Sequence, residues 1–153
     1  MIQKINFEVL WWVITAVIAT LILLPIYLNI GEAYPFYRDN ILIIVIAITW
    51  TRYIFFMKYH WLTLSNYIKA FFMVFSIPTF LFIIGTFYDF QSFYDDGLFD
   101  DVLSVLPYKN QTNMLLYIRT EMIFFLAFAF ICNFMLPFRM LMSIWRKINK
   151  GTE

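Results

Sequence analysis

Arg52 is the residue on which chemistry in this chain would turn. The 12 residues between Asp39 and Arg52 carry no charge. As helix they span about 18 Å, too short to cross a hydrocarbon core of about 30 Å. With Lys58 marking an interface, Arg52 sits six residues inside it, roughly 9 Å along the helix. Two readings stay open. The guanidinium can snorkel to headgroups, or it can face other helices and pair with a carboxylate or an anionic ligand. Thr49 is three residues away and shares its helix face. Thr15, Ser76 and Asn133 fall at similar depth on other apolar segments, Thr79 lies nearer the middle, and Glu8 is the nearest counter-ion. Arg52, Thr49, Thr15, Ser76, Asn133 and Glu8 form a candidate polar layer.

A second group lies at the opposite boundary: Arg38, Asp39, Arg119 and Glu121, with Glu32 nearby. Arg119 and Glu121 are about 200° apart on a helix, so one turns inward and the other outward. Arg38–Glu121 or Arg119–Asp39 pairs would tie two segments at matching depth, as register-setting interfacial ion pairs. Asp95, Asp96 and Asp100 have the loose DDxxxD spacing that can share a hard cation. There is no second acidic motif and no neighbouring basic run for a diphosphate, so they read as solvated surface. His60 is the only histidine and Cys132 the only cysteine. Within one chain a bis-histidine haem, a histidine-rich metal site, a dithiol pair and a disulfide are therefore excluded. GxSxG, HExxH and GxxxxGK[ST] patterns are absent. His60, beside Trp61, reads as interfacial. No metal and no cofactor is expected.

The elements that must position these residues are four long apolar runs. The chain has 153 residues, 63% hydrophobic and 14% charged, with mean hydropathy +0.76, against about a quarter charged in soluble proteins. Charges alternate between connections. Lys4 precedes the first run and Glu32, Arg38 and Asp39 follow it. Arg52, Lys58 and Lys69 bracket the second connection, five aspartates crowd the third, and Arg139, Arg146, Lys147 and Lys150 close the chain. The positive-inside rule then predicts an all-α four-span transmembrane bundle with both termini cytoplasmic. Its spans are 9–31, 36–58, 70–88 and 114–138, with a basic interfacial tail over 139–153. The whole is a single integral-membrane domain. Lys4 and the long first run favour a retained helix over a cleaved leader. Trp11, Trp12, Tyr27 and Tyr34 fall where aromatic belts lie.

Short connections make spans 1–2 and 2–3 antiparallel neighbours. Small-residue contacts are few: Ala16 with Thr20, Ala47 with Thr51, Ala127 with Ala129. The 19 phenylalanines read as lipid-facing bulk or as docking surface. In the third connection Leu98, Val102, Val105 and Leu106 recur at helical spacing and predict a short external amphipathic helix ending at Pro107.

The Phe, Ile, Tyr, Asn and Lys bias suits an AT-rich bacterial genome, hence a bacterial inner membrane. The functional expectation is a non-catalytic subunit (anchor, scaffold or assembly factor) of a larger membrane complex. Its partners would be lipids and other membrane subunits or copies of itself, with no nucleic acid. One alternative is a small oligomeric transporter or channel with Arg52 in its path. A second is a lipid-modifying enzyme using the acidic loop or the Arg119/Glu121 group.

Overall fold

Charged residues mark where apolar surface ends, whereas backbone hydrogen bonds and caps decide where a helix ends. The computed structural model describes residues 2–57 and 65–149, with side chains from Asn6 onward. Lys58, His60, Trp61, Lys150 and the Lys4 side chain, which carry interfacial or orientation readings above, lie outside the described residues. Every regular element described is helical: α1 (Ile2–Ile30), a 3-10 turn (Gly31–Ala33), α2 (Tyr37–Phe55), α3 (Asn66–Asp95), α4 (Phe99–Leu103) and α5 (Tyr108–Asn149). α1, α3 and α5 are each long and apolar enough to cross a membrane. α2, at 19 residues, carries Arg38, Asp39 and Arg52 and falls outside that set.

α1, α3 and α5 overrun the expected spans, whereas α2 falls within its own. α1 begins at Ile2 rather than near 9, and α5 runs from Tyr108 to Asn149 rather than 114–138. The basic tail, through Asn149, continues α5 as helix. Lys, Arg, Glu and Gln are good helix formers, so loss of hydrophobicity does not stop the helix.

Local chemistry sets the ends. Ser65, at φ −133°, accepts from the Tyr67 N–H at the start of α3. At its other end Gly97 adopts φ 71°. Leu98 N–H donates to Phe93 O at 3.3 Å and Gly97 N–H to Tyr94 O at 3.2 Å, the paired bonds of a Schellman cap. Arg139 Nε, on α5, donates to Ile54 O at 2.9 Å and satisfies a terminal carbonyl of α2.

Cross-helix contacts give the directions. Asn40–Glu121, Trp50–Asn133 and Ile54–Arg139 rise together, so α2 and α5 are parallel. Ser76–Asn133 and Tyr94–Arg119 run oppositely, so α3 is antiparallel to α5. Glu8–Arg52 and Tyr27–Tyr37 make α1 antiparallel to α2. The hub is α5, which packs most extensively on α2 and on α3, while α1 packs mainly on α2. The expected α2–α3 pairing is therefore secondary. It includes Trp50 and Tyr53 against Phe72, with ring centroids 5.7 and 5.4 Å apart.

Ala47 and Ala129 are fully buried on α2 and α5, where small side chains let backbones approach. Ala16 and Ala127 are exposed instead, and Ala19 takes the buried place on α1. Pro25 lies inside α1 and removes one backbone donor. In the same turn Tyr117 donates its hydroxyl to Ile22 O at 2.8 Å, tying α1 to α5.

Phenylalanine fills the end of the bundle near the acidic connection. Phe36, Phe90 and Phe99 are buried there, with Phe93 packed on them. Phe93 and Phe99 meet edge-on at 4.8 Å, Phe36 and Phe90 at 5.5 Å. This corrects the face expected for the third connection. α4 ends at Leu103 rather than Pro107 and buries Phe99 and Leu103, four apart; of the expected face Val102 and Leu106 pack partly buried on the same core, while Leu98 and Val105 are exposed. One residue's shift rotates a helix by about 100°, and the large aromatic took the inner position.

Candidate functional site

The residues of the expected polar layer are divided between two faces of α2. On the face toward α1, Arg52 is 1% exposed and its Nη2 lies 2.8 Å from Glu8 Oε2. Snorkelling is thereby overturned. At 1% exposure the guanidinium cannot reach headgroups, and Glu8 gives it a counter-ion inside the bundle. The Arg52 Cζ sits 5.2 Å from the Trp12 ring centroid and 5.0 Å from that of Tyr53, within cation–π range. Nη2 also donates to the Tyr53 hydroxyl at 3.3 Å. Nε and Nη1 are buried without a hydrogen-bond partner among the described residues.

On the opposite side, Trp50 Nε1 donates to Asn133 Oδ1 at 3.0 Å, and Asn133 Nδ2 donates to Ser76 O at 3.0 Å. One amide thus joins α2, α5 and α3 by using both its donor and its acceptor. The Ser76 hydroxyl turns to its own helix, donating to Met73 O at 2.6 Å. Thr15 does likewise, to Trp11 O at 2.8 Å. Thr49 is buried with no partner for its hydroxyl among the described residues. The threonines therefore share the depth of the layer without entering its hydrogen bonds.

Trp50, Trp12 and Tyr53 were not foreseen in this role. The signal for Trp50 was present: a tryptophan two residues before Arg52 and far inside an apolar run needs an acceptor for its indole N–H. Asn133→Leu is expected to cost about 1–2 kcal/mol, since it strands the Trp50 N–H and the interhelical link together. Denaturant unfolding in detergent micelles, followed by Trp fluorescence, measures it.

The second predicted group does not form ion pairs. Glu121 is 8% exposed and accepts from Asn40 Nδ2 at 2.8 Å. Arg119 is exposed, stacks 4.6 Å from the Tyr94 ring centroid and donates to the Tyr94 hydroxyl at 3.2 Å. Arg38 is exposed and Asp39 half-buried. Among the described residues neither Arg38–Glu121 nor Arg119–Asp39 is made. The expected division of Arg119 and Glu121 between outside and inside holds, but the inward carboxylate finds an amide. Tyr34, placed above in an aromatic belt, is 2% exposed, and its hydroxyl lies 3.4 Å from Asn40 Nδ2. Burial, then the Glu121 carboxylate, push its phenol above the ordinary value and keep it neutral. In the third connection Asp95 accepts from Gln91 and Asp96 from Ser92.

Two apolar clefts flank the outer face of α2. One, of about 590 Å³, lies between α2 and α3 and includes Glu8, Trp12, Thr49, Tyr53, Phe75 and Pro78 in its walls. The other, of about 470 Å³, runs between α1 and α2 from Trp12 to Tyr27 and Tyr37. Trp12 and Val45 line both. Each volume is within the range of small-molecule sites, about 300–1,000 Å³.

The geometry defines an all-helical protein with three helices long and apolar enough to cross a membrane and polar side chains inside the bundle. Comparison with protein-family models, curated proteins and solved structures finds no match.

Proposed function

We propose that the chain is a four-span membrane protein of a bacterial inner membrane, with both termini cytoplasmic, serving as a non-catalytic subunit of a larger membrane complex. α2 is the fourth span. It is the helix with the charges and also the one bracketed by α1 and α5, so Arg52 is shielded by protein. As an ideal helix it covers about 28 Å, close to the hydrocarbon thickness. The orientation rests on the basic residues at the ends of α1, α2 and α5 against the aspartates after α3.

The observation that carries the subunit reading is how the buried polar side chains are used. Glu8–Arg52, Trp50–Asn133–Ser76 and Asn40–Glu121 each tie one helix to another. Their chemistry goes into holding the bundle as a scaffold. The outer surface carries large apolar side chains, Phe55, Phe71, Phe124 and Phe134 among them, as a lipid- or subunit-facing surface would. Extraction of a tagged chain from native membranes in mild detergent should give one assembly of fixed stoichiometry, far larger than 18.5 kDa plus its micelle. A monodisperse monomer from native membranes would overturn the proposal.

One observation favours a second reading, a small oligomeric transporter with Arg52 in its path: the unused Nε and Nη1 donors. Anion flux in proteoliposomes, lost in Arg52→Leu at equal reconstitution, would support it. Equal flux in both would remove it.

A further inference from the structure

Glu121 poses a problem that its surroundings do not solve for an ionised carboxylate. It is 8% exposed, and one neutral amide donor, Asn40 Nδ2 at 2.8 Å, reaches it. Its Oε1 has no hydrogen-bond partner among the described residues, and neither does Oδ1 of Asn40, which is itself 0% exposed. Two buried acceptors, one on each partner of the Asn40–Glu121 contact, are thus left without a donor among the described residues. An isolated carboxylate in such surroundings is costly, and the usual resolution is neutralisation.

The groups that face it do not supply the charge. Tyr34, from the α1–α2 connection, and Tyr117, one turn earlier on α5, are within electrostatic reach, and both are phenols. Asp39 of α2 acts on Tyr34 and is another acid. Arg119 turns away onto Tyr94 of α3, and Arg38 is exposed. α1 presents Ile26 and Ile30 to the buried core. No ion pair to Glu121 forms among the described residues.

We infer that Glu121, Asn40 and Tyr34 form a buried proton-binding site, with the carboxyl of Glu121 carrying an exchangeable proton at neutral pH. Bound on Oε2, the proton gives the carboxyl a donor toward the Asn40 amide. The Asn40 amide can present either end to it, since oxygen and nitrogen exchange places by a flip. With the amide turned, Asn40 Oδ1 accepts from the carboxyl O–H and from the Tyr34 hydroxyl. A proton also needs no coordination shell, which suits a site whose amide is fully enclosed. The site couples α2 to α5: with the proton the helices stay joined through a neutral hydrogen bond, and without it an uncompensated charge is left between them. This inference does not depend on the subunit reading, because it concerns a ligand of the chain alone.

The test uses the full chain in detergent or proteoliposomes. Infrared spectra at neutral pH should show a protonated carboxylic C=O band that is lost in Glu121→Gln and kept in Asp89→Asn. Dicyclohexylcarbodiimide reacts with a protonated carboxyl in apolar surroundings: the acid proton moves to a carbodiimide nitrogen and the carboxyl oxygen bonds to its central carbon. Peptide mapping of the native chain should place the adduct on Glu121, with equal yield with and without sodium chloride. Absence of the band from the native chain overturns the proposal without recourse to a variant. So does sodium-dependent protection of Glu121, which would make the site one for a metal cation instead.

Discussion

Arg52→Leu is expected to destabilise the bundle by about 3–5 kcal/mol, the cost of removing one partner from a buried ion pair. Nearly all of that cost arises from what remains. With Arg52 gone, the Glu8 carboxylate keeps its place beside Trp12 and the apolar cleft but loses the guanidinium 2.8 Å away. Glu8→Leu should cost a similar amount, since Arg52 is 1% exposed and among the described residues would keep aromatic faces and the Tyr53 hydroxyl. The double variant Glu8→Leu/Arg52→Leu should recover most of the loss, because a well-packed apolar pair is often as stable as the ion pair it replaces. Unfolding titrations of the four proteins in one detergent give the coupling directly. Single-variant costs below about 1 kcal/mol would place Arg52 among snorkelling, solvent-screened arginines.

Phe99→Ala should cost about 3–5 kcal/mol, the range for truncating a buried phenylalanine. Phe99 is 2% exposed and its ring meets those of Phe36, Phe90, Phe93 and Tyr94. α4 is only five residues long and cannot persist as an isolated helix, so this side chain and Leu103 hold it. The loss should appear as a lower thermal midpoint and as faster amide exchange across residues 96–107. Leu98→Ala, one residue earlier and 42% exposed, should change stability by less than about 0.5 kcal/mol. The reverse ranking would restore the face that the spacing of Leu98, Val102, Val105 and Leu106 implied.

These two cases show where the sequence could be read and where it could not. The depth of Arg52 followed from counting residues between charges, and Glu8 was its nearest carboxylate, so the pair was legible. Its aromatic flanks were not read, although Trp12 lies four residues after Glu8 on one helix face and Tyr53 is next to Arg52. Arg119 and Glu121 had to face opposite ways on one helix, and they do. Which polar group each would meet was undetermined. Asn40 carried no reading of its own and Tyr34 only that of a belt residue, yet Asn40 donates to Glu121 and Tyr34 lies against Asn40.

The sequence by itself determined that the chain is helical and how its charges are ordered along it. These follow from composition and one-dimensional order, which survive any packing. It also determined the spacing of the polar residues along each helix, since that is a count along the chain. Only the tertiary structure decided which face each helix turns inward, that α5 rather than chain neighbours is the hub, and that Phe99 rather than Leu98 is enclosed. An apolar helix in an apolar bundle carries little hydrophobic periodicity. Its rotation is set instead by shape and by the few polar groups that must find one another.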